Sequence, residues 1–240
     1  MKNLVLEYFR CSVVRHSSHI NKGYLVRMLK IETFIFNVFS ENTYLVWDDI
    51  TREALIIDPG CRDDQEGNEI SLFISSNSLK LIYLLNTHCH IDHILGNAFI
   101  KETCNPKFLA GEEDLFLLEL MTHQAERFGI EMKKSPLPDS FLKEGENLKF
   151  AGQEIEPIFT PGHSPGGYCL YFRQSGFCIT GDVLFNEGIG RTDLWGGDYD
   201  TLINSIVKKL FFLPDETVIY AGHGSNSTIG HEKKDNPFIN

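Results

Sequence analysis

NTHCHIDHILGN, residues 86–97, places three histidines and an aspartate within six positions. It follows LKLIYLLN, residues 79–86, a nearly continuous apolar run that predicts a strand buried on both faces. Side chains alternate on an extended segment, so His88 and His90 face one side and Cys89 the other, which argues against Cys89 as a metal ligand. After His90 the chain must turn into the helical pattern HILGNAFIKE, residues 93–102. That turn presents Asp92 and His93 toward a second point nearby. Imidazole and carboxylate suit zinc, iron and manganese, so one strand end supplies ligands for two metal positions.

Outward from this segment the pattern is strand-rich. KIETFIFNVF (30–39), NTYLVWD (42–48) and ALIIDPG (54–60) are short, rich in β-branched and aromatic residues, and separated by turn formers, which predicts an antiparallel meander. NEISLFISSNS (68–78) carries helical spacing, and the acidic run RDDQEGNE (62–69) reads as a solvated loop. GEEDLFLLELMTHQAERFG (111–129) predicts the longest helix, with acidic residues in its first turn and a closing glycine at 129. The second half repeats the logic. LKFAGQEIEPIFT (148–160), GYCLYFR (167–173) and GFCITGD (176–182) predict strands, YDTLINSIVKKLFF (199–212) a helix, and TVIYAGHG (217–224) a last strand. Two strand-rich halves with intervening helices predict an α/β (α+β) fold of two sheets packed face to face and covered outside by helices.

The 240 residues suit one large domain, with 42% hydrophobic and 23% charged residues as in ordinary globular proteins. A formal net charge of -11 opposes binding to nucleic acid or anionic membrane and leaves a small molecule as the expected partner. The oligomeric state is not legible. The six cysteines are scattered without a C-x-x-C pair, which fits a reducing cytoplasm. Glu7 and Arg10 interrupt the apolar run of MKNLVLEYFRCSVV, so no secretory signal is expected, and no apolar stretch approaches the roughly 20 residues of a membrane span. Residues 1–27 read as an N-terminal extension, with Met28 an alternative start, and residues 28–240 as a single domain.

Further metal-grade residues stand at predicted strand ends: His163 in TPGHSPGG, Asp182 in TGD and His223 in AGHG. Glycine flanks both histidines, which permits close backbone approach. His123 on a helix, His231 in the polar tail, and His16 and His19 in the extension are expected to be structural only.

THCHIDH, TPGHSPG, TGD and AGHG, in this order and preceded by IIDPG, resemble the metallo-β-lactamase fold hydrolases, and within them the short glyoxalase II-like branch. The resemblance covers residues 30 to about 238. It implies a four-layered αββα sandwich with the site at one edge of the paired sheets. It also implies two divalent metal ions, zinc foremost, with iron and manganese as alternatives. His88, His90 and His163 would hold the first and Asp92, His93 and His223 the second, with Asp182 bridging both. Asp92 and Asp182 would be the catalytic carboxylates, and Asp58 would orient a ligand histidine. Two ions so placed can share a water and supply hydroxide as nucleophile for a thioester, such as S-lactoylglutathione.

Two departures qualify the glutathione reading. The sequence ends seventeen residues after His223, which leaves no room for the C-terminal helical domain of full-length glyoxalase II enzymes. In FNEGIGRTDLWGGD, Arg191 falls where that family has a basic glutathione contact, but Asp193 stands where it has a tyrosine. Arg191 either grips a substrate carboxylate or forms an ion pair with Asp193 or Asp198. A mononuclear iron persulfide dioxygenase of the same superfamily, with His90, His163 and Asp182 as ligands, is the alternative. A non-enzymatic binding module and a true β-lactamase rank below these.

Overall fold

The computed structural model describes residues 28–239; the expectations for residues 1–27, His16 and His19 included, lie outside them. Six strands form the first sheet in simple sequential order: β1 (Lys30–Phe36), β2 (Glu41–Trp47), β3 (Glu53–Ile57), β4 (Lys80–Leu85), β5 (Lys107–Ala110) and β6 (Ser140–Phe141). The meander β1–β2–β3 is antiparallel, and β3 through β6 run parallel to one another. The parallel part needs crossovers, which α1 (Asp64–Ser76), α2 (Ile91–Ile94), α3 (Asn97–Cys104), α4 (Leu115–Glu119) and α5 (Met121–Phe128) supply. The second sheet contains β7 (Leu148–Phe150), β8 (Gln153–Phe159), β9 (Tyr168–Phe172), β10 (Phe177–Gly181), β13 (Val218–Ala221) and β14 (Ser227–Thr228), in the order β14-β13-β10-β9-β8-β7. A small hairpin of β11 (Leu184–Phe185) and β12 (Gly188–Ile189), and the helices α6 (Tyr199–Lys208) and α7 (Ile229–Asp235), complete the chain.

Alternation along the strands sorts the apolar residues into three layers. Tyr44, Val46, Leu55 and Ile57 of the first sheet meet Leu170, Phe172, Phe177 and Ile179 of the second, forming the core between the sheets. The intervening positions Leu45, Ala54, Ile56 and Leu84 point outward onto Ile70, Ile94 and Ile100 of the first helices. On the far side, Cys169, Tyr171 and Cys178 pack against Leu202 and Ile206 of α6. The result is the expected four-layered αββα sandwich. No described helix is long and apolar enough to cross a membrane.

Two local readings change. The acidic run at 62–69 is not a loop: Asp63 caps α1, its side chain accepting from the Gln65 and Glu66 amides, and the following acidic residues favour the positive end of the helix. Gly67 then lies flat on the Phe99 ring, where a Cβ would come within 2.8 Å of the ring edge. The 111–129 pattern is also not one helix. A 3-10 turn at Glu112–Asp114 precedes α4 and α5, which are separated at Leu120 (ψ 0°). Asp114 is drawn inward by long-range partners, and Gln124 turns back at the bend, its Nε2 donating to the Leu117 carbonyl. Gly129 does close α5, with a φ of 66°.

Candidate metal centre

The site is assembled at strand C-termini of both sheets. Asp58 follows β3, and His88, His90, Asp92 and His93 follow β4, the last two on the single turn of α2. From the second sheet, His163 follows β8, Asp182 follows β10 and His223 follows β13. The seams between sheets are hydrogen-bonded at this edge. Tyr168 N donates to Thr87 O at 2.8 Å, and Asn42 donates through its amide to Gly222 O and through Nδ2 to Ala221 O and Gly224 O.

All seven residues singled out as ligands converge. His88, His90 and His163 form one group able to hold an ion, and Asp92, His93 and His223 another. Asp182 stands between them: its Oδ1 is 3.4 Å from His93 Nε2, and its Oδ2 is 3.6 Å from both His163 Nε2 and His223 Nε2. Asp92 Oδ2 reaches His223 Nε2 at 3.1 Å and His93 Nε2 at 3.5 Å. A third grouping, Asp58 with His88 and His93, overlaps these two.

Partners behind the rings fix which nitrogen faces the site. His163 Nδ1 meets the Arg191 carbonyl at 2.7 Å, and His223 Nδ1 meets the Phe39 carbonyl at 3.1 Å, so in both rings Nδ1 carries a hydrogen and Nε2 is the nitrogen that faces the site. Asp58 Oδ2 does the same for His93 through Nδ1 at 3.1 Å, while its two oxygens take the Thr87 amide and hydroxyl at 2.7 and 2.5 Å. The Thr87 hydroxyl, having given its proton to Asp58, accepts from His88 Nδ1 at 3.1 Å. His90 alone turns Nδ1 inward, 2.8 Å from His163 Nε2.

The donor set calls for cations. Burial keeps His88 and His163 below the usual imidazole range and brings His90 down to about 3, so these rings are neutral. Their lone pairs face one another at 2.8 Å (His90 to His163) and 3.2 Å (His163 to His88), contacts that repel unless a positive charge lies between them. In the second group burial opposes charge on His93, yet Asp92 and Asp182 outweigh it and raise its pKa. His93 Nε2 and Asp182 Oδ1 are buried without a hydrogen-bond partner. Such orphaned groups are costly, and a coordinated ion satisfies them. Close packing leaves no alternative residue at Gly222, where a Cβ would lie 2.1 Å from Asp182 Oδ1 and 2.7 Å from His93 Cε1.

Three supporting carboxylate or amide groups escaped the sequence reading. Asp114, drawn in from the 3-10 turn, accepts from Cys89 N at 2.9 Å and Gly166 N at 2.6 Å, thereby tying the loop of His88 and His90 to that of His163. Burial pushes its carboxyl up to about 6 against those two N–H bonds. Glu41, fully buried, sits 4.0 Å from His93 Nδ1 and accepts from the Thr43 hydroxyl; burial raises its pKa well above the carboxylate range. Asn42 is the third. Glycines make room for two of these groups: a Cβ at Gly166 would lie 2.8 Å from the Asp114 carboxyl carbon, and one at Gly60 2.1 Å from Glu41 Oε2.

The other residues singled out in the sequence lie outside the two groups. The Cys89 thiol lies in the apolar layer under the helices. The Arg191 guanidinium is exposed and makes a two-pronged pair with Asp193, both contacts 2.7 Å, and lowers the Asp193 carboxyl to about 2. Exposed His123 lies on α5, away from both groups, and His231 pairs with Glu187 at 3.1 Å.

Comparison with known proteins places these observations in a family. The family model described as "Metallo-beta-lactamase superfamily" matches residues 36–223. The hydroxyacylglutathione hydrolase GloC of Haemophilus influenzae is 42% identical over 214 residues, which is 88% of this chain and 99% of that protein. The mitochondrial persulfide dioxygenase ETHE1 of Homo sapiens is 31% identical, covering 82% of this chain and 70% of its own length. Among solved structures, the B3 metallo-beta-lactamase BLEG-1 superposes with a TM-score of 0.80 at 29% identity, over 87% of this chain and 99% of that one. With its family match spanning every residue that converges on the site, this chain belongs to the metallo-beta-lactamase superfamily.

Proposed function

We propose that the protein is a binuclear metal-dependent hydrolase of a thioester, glyoxalase II-like, acting on S-lactoylglutathione or a related acyl thioester. The observation that carries this reading is the second group: Asp92, His93 and His223 converge separately from the three histidines, with Asp182 between. We assign His88, His90 and His163 to a first ion, Asp92, His93 and His223 to a second, and Asp182 to both. Asp58 is the orienting partner of His93. Zinc is the proposed metal, and iron and manganese suit the same donors. Similarity to the hydroxyacylglutathione hydrolase supports the reaction class. The five described cysteines are all unpaired, which supports a cytoplasmic setting.

Divalent ions in such sites supply Lewis acidity and bring the pKa of water toward about 7, making hydroxide available at neutral pH. The chain's own residues supply placement. Asp92 Oδ2 and Asp182 Oδ2 face the space between the groups, where they accept hydrogen bonds from an attacking water and aim its lone pair at the acyl carbon. The three neutral imidazoles leave the first position strongly electrophilic, and the two carboxylates balance charge at the second. As the C–S bond breaks, the leaving group departs as a thiolate. Because a thiolate is a stable anion, no general acid has to stand at that end.

A second reading, a mononuclear iron persulfide dioxygenase using His90, His163 and Asp182, is supported by the similarity to ETHE1. Elemental analysis of the purified protein, thioester turnover and oxygen uptake with glutathione persulfide separate the two. Two ions per chain with thioester cleavage and no oxygen consumption are the expected result. One iron per chain with oxygen uptake would replace the hydrolase by the dioxygenase. Nitrocefin cleavage without thioester turnover would point instead to the activity named for BLEG-1.

A further inference from the structure

The last turn of α5 touches one residue beside each group of the metal centre. Arg127 places its Cζ 5.4 Å from the centroid of the Trp195 ring, and that indole lies 6.5 Å, centroid to centroid, from the His90 imidazole. The next residue, Phe128, meets Phe39 edge to face at 5.2 Å, and Phe39 is the residue whose carbonyl orients His223. Two consecutive residues of one helix end therefore reach the rim beside the first group and the rim beside the second. Gly129 ends the helix there, leaving Arg127 and Phe128 exposed.

The rim carries two arginines in different electrical states. Arg191 has both prongs of its fork occupied by Asp193. Arg127 makes no ion pair among the described residues, although Asp193 is close enough to feel its charge. In a chain of net charge -11, an unpaired guanidinium beside the site draws anions to that point. Stacking on the indole restrains the planar group with its N–H fork free, so pairing with a carboxylate costs less side-chain entropy than for a free surface arginine.

We propose that Arg127 on Trp195, with Phe128 and Phe39 alongside, forms the subsite for the thiol-carrier end of the substrate. The guanidinium pairs with a carboxylate of that carrier, and the aromatic rings cover its carbon chain. The preferred substrates are then thioesters of a carboxylate-bearing thiol. This inference rests on the thioester hydrolase reading for its substrate, but not for the existence of the subsite. Since the contact is remote from the acyl carbon, it holds ground state and transition state alike and acts on KM rather than kcat.

The test compares the wild type with Arg127→Gln on S-lactoylglutathione and on the same thioester with both glutathione carboxylates esterified. The expected result is a KM raised about tenfold for the acid and unchanged for the ester, with kcat within about twofold for both. A second readout needs no turnover: S-methylglutathione, a thioether with no thioester to cleave, should quench tryptophan fluorescence. The quench should vanish in Trp195→Phe and weaken about tenfold in affinity in Arg127→Gln. Equal KM changes on acid and ester, or a quench indifferent to Arg127, would overturn the subsite. Arg127-dependent quenching without turnover of any thioester would retain the subsite and reject the hydrolase; thioester turnover indifferent to Arg127 would do the reverse.

Discussion

Asp58 Oδ2 lies 3.1 Å from His93 Nδ1, and Asp58 reaches it from a left-handed backbone conformation with φ of 49°. Asparagine tolerates that conformation as well as aspartate does, so Asp58→Asn keeps the backbone while it removes the charge and turns one acceptor oxygen into an N–H donor. It replaces the carboxylate that makes His93 a better donor and that also takes the Thr87 amide and hydroxyl. Metal affinity is expected to fall roughly 10- to 100-fold, since both His93 and, through Thr87, His88 lose their orienting partner. Competition against a chromophoric chelator measures this, and unchanged affinity would contradict it.

Asp182→Ala removes the group that touches both clusters. Metal content is expected to drop below one ion per chain, and the rate to fall by more than the roughly 100-fold typical of an orienting residue. Elemental analysis with turnover at saturating metal checks both. Full occupancy in this variant would show that neither ion depends on Asp182.

Cys89→Ala should leave metal content unchanged, since the thiol packs in the layer under the helices and belongs to neither metal-binding group. The cost is packing: a small buried cavity, on the order of 1 kcal/mol in urea unfolding. Metal loss here would overturn the ligand assignment.

Asp114 gives a pH signature. Burial raises its carboxyl to about 6 from the 3.8 of an exposed aspartate. A raised acid contributes stability fully below the unfolded pKa and loses it as pH rises through the folded one. The window is thus pH 4 to 6, and the change is at most about 3 kcal/mol. Asp114→Asn does not titrate, and its Nδ2 would confront the Cys89 or Gly166 amide, costing roughly 1–3 kcal/mol. The stability advantage of the wild type over this variant should therefore narrow from pH 4 to 6 and stay level above 7, measured on metal-free protein. A constant difference across that range would refute the shift.

Periodicity and local spacing made much of this molecule readable. The apolar run before His88 and the alternation in β2 and β3 announce buried strands, and the seven converging residues all sit in short glycine-flanked or histidine-dense motifs. What stayed hidden depends on distant partners. Asp114 looks like one more acid at a helix start, and only Cys89 and Gly166, 25 and 52 positions away, turn it inward. Asn42 reads as an ordinary strand residue until the second sheet brings Gly222 against it. Arg191 shows the converse: two roles were open in the sequence, and Asp193, two positions on, occupies its side chain while its carbonyl holds His163. The acidic run at 62–69 misled because a capped first turn and a solvated loop share the same composition.

Each metal-binding group draws two residues from the segment after β4 and one from the second sheet. On a growing chain, His88 to His93 emerge long before His163, and the second group is not whole until β13 has been made and His223 follows it. Completion of the second group is thereby tied to the end of synthesis. A chain truncated anywhere before residue 223 would have the most conspicuous motif in its sequence and lack a complete pair of groups.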